Sequence, residues 1–275
     1  MKKDDIVILG LWLLFEMIAV GLWLTQDNLF YLVNFSYIGT CIAMGLFLYQ
    51  HHVKYARHMV QFAVGLYMLV YLGILSRENM QLEGFWYYLF LGVFEAAVIH
   101  YLVAKIAGPL LFGRGWCGYA CWTAMVLDLL PYKTRQKARK QITWLRYVWF
   151  VVSFVFVALL FLLQVKQMEN VMFWSFLIGN GCYYAVGIWL AFWCKDNRAF
   201  CKYMCPVTVF LKPASYFALL RVKWDEKNCM HCGKCRQVCP MDVDMTDNAR
   251  SRYHGTECIL CMECIEQCPA KALHL

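Results

Sequence analysis

Cys229-Met-His-Cys232-Gly-Lys-Cys235-Arg-Gln-Val-Cys239-Pro240 is a complete C-x2-C-x2-C-x3-C-P run. Cys258-Ile-Leu-Cys261-Met-Glu-Cys264-Ile-Glu-Gln-Cys268-Pro269 repeats it 29 residues later. Three thiolates on a tight loop can each grip a different iron of a cubane cluster. In paired runs of this kind the fourth cysteine serves the other cluster. The expected sets are Cys229, Cys232, Cys235 with Cys268, and Cys258, Cys261, Cys264 with Cys239. Each proline turns the chain after its last ligand and has no amide proton to place. A pair of zinc knuckles is the competing reading, but zinc sites take four ligands in two pairs and seldom repeat an eight-cysteine phasing. So short a segment buries too little to fold alone, so two [4Fe-4S] clusters would also hold it together.

Upstream of this tail the composition inverts. The 275 residues are 61% hydrophobic and only 16% charged, with a mean hydropathy of +0.49, whereas soluble domains sit near 45–50% apolar and roughly 25% charged. A fully soluble enzyme, a disordered chain and a secreted disulfide mini-protein are excluded. Six stretches approach the ~20 apolar residues needed to cross a bilayer: Ile6–Leu24, Leu29–Leu48, Met59–Leu75, Phe85–Ala107, Trp144–Val165 and Val171–Phe192. The first follows Met1-Lys2-Lys3 without a small-residue cleavage site, so it reads as an uncleaved span. With the N-terminus inside, the outer loops near 25–28, 76–84 and 166–170 hold only Arg77 and Lys166 of the 26 Lys and Arg. That asymmetry puts both termini on the cytoplasmic side of an inner membrane. It also explains the net charge of +8 and the run Lys133, Arg135, Lys137, Arg139, Lys140 as topology, with no nucleic-acid partner. Thiols stay reduced in that compartment, so dense cysteine there means metal.

Seven cysteines remain, and four form an internal repeat. Arg114-Gly-Trp-Cys117-Gly-Tyr-Ala-Cys121 aligns with Arg198-Ala-Phe-Cys201-Lys-Tyr-Met-Cys205, 84 residues apart. Both copies follow the inner end of a predicted span, so the repeat is parallel. C-x3-C on a helical turn would put both thiols on one face. Two facing turns would then gather Cys117, Cys121, Cys201 and Cys205 at the cytoplasmic boundary. They are candidates for a third centre, an iron–sulfur cluster or another metal. A reversible disulfide and plain burial are the alternatives. Arg114 and Arg198 would offset thiolate charge or steady the loops. Cys194 is a candidate spare ligand, while Cys41 and Cys182 read as packing residues.

Gly113-Arg-Gly115-Trp-Cys-Gly118 matches the dinucleotide pattern G-x-G-x-x-G, but no strand precedes it, so the match fails. Within the spans, Glu16, Glu95 and His100 are ionisable and costly there. Glu95 and His100 are candidates for proton exchange with a quinone. A protonated glutamate bonded to a neighbouring helix is the plainer alternative. His100 with His58 does not make a convincing haem pair.

The whole pattern resembles the membrane polyferredoxins, which combine several spans, two intramembrane C-x3-C-P motifs and a cytoplasmic two-cluster ferredoxin domain. That group includes the membrane subunit of the periplasmic nitrate reductase electron chain, and related proteins of nitrous oxide respiration and cytochrome oxidase assembly. Cys201, Cys205 and Pro206 match the membrane motif in full, whereas Trp122 stands where proline is usual after Cys121. The resemblance implies a polytopic α-helical membrane protein of about six spans (1–220), carrying a C-terminal α+β two-cluster bacterial ferredoxin-like domain (221–275). It implies electron transfer between a quinone or cytoplasmic donor and a membrane or extracytoplasmic partner. The redox partner would be a cytoplasmic ferredoxin or an outer flavin- or cluster-carrying protein. A copper reductase for metalloenzyme assembly is the second reading, though the 14 Met are scattered and His51-His52 is the one histidine doublet. No nucleophile–base pair or phosphate loop points to a transformed substrate.

Overall fold

The computed structural model describes residues 3–51, 53, 55–94, 96–134, 136–137 and 140–275. Long apolar runs without proline give the three opening helices: α1 (Lys3–Gln26), α2 (Leu29–Gln50) and α3 (Ala56–Leu66). The Asn28 side chain starts α2 by accepting from the Phe30 amide at 2.9 Å, a common helix cap. Beyond Leu66, α3 continues in wider π-type turns over Tyr67–Leu75.

The chain then departs from the expected outer loop. Instead of staying at the surface, residues 79–82 return into the helical body, where Asn79, Met80, Gln81 and Leu82 are all buried. Asn79 secures the turn. Its side-chain amide donates to Met172 O at 3.0 Å and Ser175 Oγ at 2.9 Å, and its oxygen accepts from the Gln81 amide at 3.0 Å. Gly84 is obligatory, because a Cβ there would stand 1.6 Å from Asn79 O. From this re-entrant turn α4 (Leu82–Leu91) runs outward again.

The expected span Phe85–Ala107 is therefore not one helix. A left-handed Gly92 (φ +71°) ends α4, and the chain turns back into α5 (Ala96–His100), a π-type stretch (Tyr101–Ala107) and α6 (Gly108–Phe112). Short helices α7 (Gly115–Tyr119) and α8 (Trp122–Leu127) follow, then α9 (Leu145–Leu162) and α10 (Met168–Cys194), with α11 (Ala199–Tyr203) and α12 (Thr208–Tyr216) closing the apolar part. Ring contacts fix the direction of α4. Trp86 meets Phe150 and Phe154 of α9, while Phe90 meets Phe154 and Phe161, so the two helices advance together, away from the tail.

Among the described residues, five helices are long and apolar enough to cross a membrane: Asp5–Gln26, Leu29–Gln50, Ala56–Leu75, Leu145–Leu162 and Met168–Cys194. Ala97–Phe112 is a shorter apolar helix. The fourth expected span, Phe85–Ala107, is thus broken at Gly92 into a hairpin of α4 and α5.

The tail is α+β. Strands β1 (Lys223–Trp224) and β2 (Leu273–His274) pair antiparallel with Lys223 opposite His274. Between them lie α13 (Lys234–Val238) and α14 (Glu263–Glu266). The tail does not hang free. Cys117, Cys201, Leu127 and Leu190 of the body share one apolar core with Cys239, Ile259, Met262 and Cys264 of the tail.

Candidate metal centres

The two tail loops have the same backbone. His231 (φ +52°) and Gly233 (φ +70°) are left-handed, as are Leu260 (φ +51°) and Met262 (φ +63°) at the matching places between cysteines. Asp242 and Lys271, three residues after Cys239 and Cys268, are left-handed as well. Successive turns of this kind aim backbone N–H groups at the enclosed space. The His231 amide points at Cys229 Sγ and the Val243 amide at Cys239 Sγ, each at 3.4 Å.

Cys239, Cys258, Cys261 and Cys264 line one cavity of about 290 Å3 with Met241, Met245 and Met262. Burial pushes the Cys239, Cys258 and Cys261 thiols up to about 11, so near neutral pH they keep their protons unless a cation draws them off. In the other half, burial raises the Cys235 thiol, and the nearby Cys229, Cys232 and Cys268 add to the rise. One set of four therefore shares a cavity, and Cys229, Cys232 and Cys268 lie near enough to Cys235 to act on its thiol. Among the described residues no three His, Cys, Asp or Glu converge as a single-ion site. Cysteines facing a shared cavity suit separate irons of a cubane; one zinc would need four sulfurs about 2.3 Å away. The donor set, the amide-lined loops and the enclosed space all fit a [4Fe-4S] cluster.

Cys117, Cys121, Cys201 and Cys205 also line a single cavity, of about 680 Å3. Their local geometry corrects the expectation of a shared helical face. Cys117 lies in α7, but the helix ends before Cys121, whose backbone is extended (φ −80°, ψ 117°). Cys201 lies in α11 and Cys205 beyond its end. Each short helix therefore presents one thiol and the following turn presents the other. Trp122, in the place of proline, is buried and donates its indole N–H to Asn180 Oδ1 at 2.8 Å, tying the first half-site to α10.

The two arginines of the repeat cross over. Arg114 donates to Cys201 O at 3.3 Å and Arg198 to Cys117 O at 3.1 Å, so each half-site is held by the other half's guanidinium. Each arginine also needs an acid, because an unpaired buried charge is costly. Arg198 finds Asp128 at 2.5 Å, and Arg57 joins the same carboxylate at 2.9 Å. Burial alone would push the Asp128 carboxyl up, but Arg198 and Arg57 hold it below its usual range. The residue 84 positions on, where a second aspartate would serve Arg114, is Lys212. Glu257 of the tail fills that role. It is fully buried and pairs with Arg114, with Arg146 at 3.3 Å and with Lys212 at 3.1 Å. Lys105 supplies a further cation: it lines the four-cysteine cavity with its ammonium 4.9 Å from the Trp116 ring centre.

Contacts between the tail and this site are direct. The Arg114 amide donates to Cys258 O at 3.3 Å, and Tyr119 donates to Leu260 O at 3.0 Å. A Cβ at Gly118 would lie 2.4 Å from Ile259 O. The cavity lined by Cys239, Cys258, Cys261 and Cys264 and the one lined by Cys117, Cys121, Cys201 and Cys205 are thus neighbours, joined through the Arg114–Cys258 main-chain bond.

The remaining candidates scatter. Glu95 lies outside the described residues. His100 is buried against Trp116 at 5.4 Å and faces a separate cavity with Asn34 and Tyr31, not the cysteines. Glu16 accepts from Ser36 Oγ of α2 at 2.7 Å, the plainer of its two readings. Cys194 is buried in the shared core but does not line the four-cysteine cavity. Cys182 is exposed, contrary to a packing role. Sequence reasoning missed Lys105, Asp128, Glu257 and Gln81. The 84-residue register, which sets Asp128 against Lys212, was the one available signal for the missing acid.

Comparison with known proteins points the same way. A model of the 4Fe-4S dicluster domain matches residues 221–269. A 4Fe-4S binding domain model matches twice, over 97–141 and 183–225, the stretches that hold the two C-x3-C copies. The chain is 29% identical over 188 residues to the uncharacterized protein MJ0750 of Methanocaldococcus jannaschii, covering 62% of this chain and 76% of that one. It is 25% identical over 191 residues to MJ0749 of the same organism, covering 65% and 70%. It is also 30% identical over 73 residues to the putative electron transport protein YccM of Escherichia coli, covering 26% and 20%. No solved structure matches. These similarities support an iron–sulfur electron-transfer protein, and the long apolar helices suit a membrane.

Proposed function

We propose that the chain is a membrane-bound electron conduit with three iron–sulfur sites in line: Cys229, Cys232, Cys235 and Cys268; then Cys239, Cys258, Cys261 and Cys264; then Cys117, Cys121, Cys201 and Cys205. Bound clusters supply one-electron exchange, and the protein's part is to space, shield and neutralise them. The observation that carries the reading is the Arg114–Cys258 main-chain hydrogen bond, inside a core that both parts share. The outermost set is the most open, with Cys232 exposed and Met230 63% exposed, so a soluble redox protein such as a ferredoxin meets the chain there. At the membrane end, buried His100 Nε2 and Asn34 Oδ1 face one cavity without partners. That supports a quinone headgroup, with Trp116 between His100 and Cys117.

Iron analysis with redox-poised EPR tests the line of three. Three cubanes give about twelve irons per chain and Cys205→Ser about eight. A parent protein with about eight irons would remove the membrane centre from the proposal. Reduction by a quinol that survives His100→Leu and Asn34→Leu unchanged would remove the quinone site alone.

A further inference from the structure

A second cleft opens where the apolar helix ends at Phe112 and the tail begins. It holds about 390 Å3, between Phe112, Gly113 and Ser215 on the body side and Arg221, Arg250 and Arg252 on the tail side. No acidic side chain lines it, and among the described residues none of the three arginines makes an ion pair. Two of them are positioned by main-chain carbonyls. Arg250 Nη1 donates to Tyr216 O at 2.8 Å and Ala218 O at 3.2 Å. Arg252, itself buried, donates through Nη1 to Val222 O at 2.8 Å. Arg221 Nη1 is buried with no partner. Arg252 faces Cys258 and Asp244, whereas Arg221 and Arg250 line the concave site with no carboxylate in its lining. That arrangement matches the tetrahedral oxygens of a phosphate.

The rim identifies which phosphate. Leu219 and Leu220 run beside the helix end, with their amides donating to Leu110 O at 3.0 Å and Leu111 O at 2.7 Å. Phe217 and Leu219 are 60% and 68% exposed, and Leu110 is 42% exposed. An apolar lip continuous with the apolar helix, directly over an arginine pocket, suits acyl chains below a charged headgroup. Basic pockets at the cytoplasmic ends of spanning helices take anionic headgroups for this reason.

We infer that the cleft between α6, α12 and residues 249–255 is a binding site for an anionic phospholipid. It holds the phosphate on Arg221 and Arg250, with the acyl chains along Leu110, Phe217 and Leu219. The inference rests on the membrane placement of the apolar helices, and the phosphate contacts it uses, Arg221 and Arg250, are not cluster ligands. Cys258 also lines the cleft, so an occupying lipid would brace the tail against the body.

The test uses the full chain with its iron, exchanged from detergent into bilayer discs holding equal phosphatidylglycerol and phosphatidylcholine. Native mass spectrometry then counts the lipids retained on release. Retention should favour phosphatidylglycerol, and Arg221→Gln and Arg250→Gln should each cut that preference about fivefold, the factor expected for one cation near an anionic surface. Arg250→Lys should keep most of it, which separates loss of charge from misfolding. Unchanged iron content across the variants would leave the electron-transfer reading untouched. Equal retention of the two lipids, a preference that survives both Gln variants, or displacement of phosphatidylglycerol by inorganic phosphate would each overturn the lipid site.

Discussion

Glu257→Gln removes a carboxylate from a place where it faces two guanidinium groups and an ammonium. Arg114 and Arg146 are essentially inaccessible, at 0% and 1% exposure, so neither can turn to water when the acid is lost. Breaking one buried pair costs about 3–5 kcal/mol, because the orphaned charge remains desolvated. The Lys212 side chain is 32% exposed, so its share is screened and adds little. Gln keeps one oxygen that can still accept from a guanidinium, which sets the expectation at the low end, about 3 kcal/mol. At about 1.4 kcal/mol per factor of ten, the docking equilibrium of the tail should shift by more than about a hundredfold. Amide hydrogen exchange on iron-loaded protein reads this directly. Residues 255–264 should open faster by that factor, while the middle of α2 should be unchanged. Iron content measured on the same sample separates undocking from cluster loss. Exchange within about threefold of the parent would refute the idea that Glu257 clamps the tail to the body.

Three further outcomes follow from the same geometry. Gly118→Ala places a Cβ 2.4 Å from Ile259 O, and such overpacking should cost about 1–3 kcal/mol, seen as faster proteolysis of the tail; an unchanged rate would mean that the close approach is not needed. Lys105→Met removes a cation lining the four-cysteine cavity and should lower the midpoint potential of the membrane centre without loss of iron, since positive charge favours the reduced state; an EPR titration giving the parent potential would refute this. Asp128 is held below its usual range by Arg198 and Arg57, so its stabilisation is full above the unfolded carboxyl value, about 3.9, and is lost as pH falls through the lower folded value. The melting-temperature gap between parent and Asp128→Asn should therefore be constant near neutral pH and close below about pH 4; a gap independent of pH would exclude the charge as its source.

Local signals carried much of this far. Cysteine spacing is a property of one loop, and the matched left-handed residues of the two tail loops show the same backbone that the spacing required. Helix-length apolar runs are equally local. Depth in the membrane is not. Asn79 and Gln81 read as surface residues, and only their bonds to α10 and to each other reveal a buried turn. The C-x3-C spacing suggested i and i+4 neighbours on a helix. Packing of two facing half-sites instead ended both helices two residues before the second cysteine. Glu257 lay beyond sequence reasoning, because a charge in a ferredoxin-like tail gives no local hint that its partner stands 143 residues earlier.

That separation constrains how the protein can be made. Arg114 emerges from the ribosome 143 residues before Glu257, roughly 7–30 s earlier at ordinary synthesis rates. Over that interval the first half-site lacks both its acid and the crossing guanidinium of Arg198. It must stay loosely assembled and in contact with water or headgroups, since a desolvated Arg114 without a partner is too costly to bury. In the proposed conduit, metal loading at Cys117, Cys121, Cys201 and Cys205 would therefore come late, after Glu257 has been added to the chain. A chain broken before residue 257 would leave Arg114 without its acid and would lack Cys258, Cys261, Cys264 and Cys268 as well.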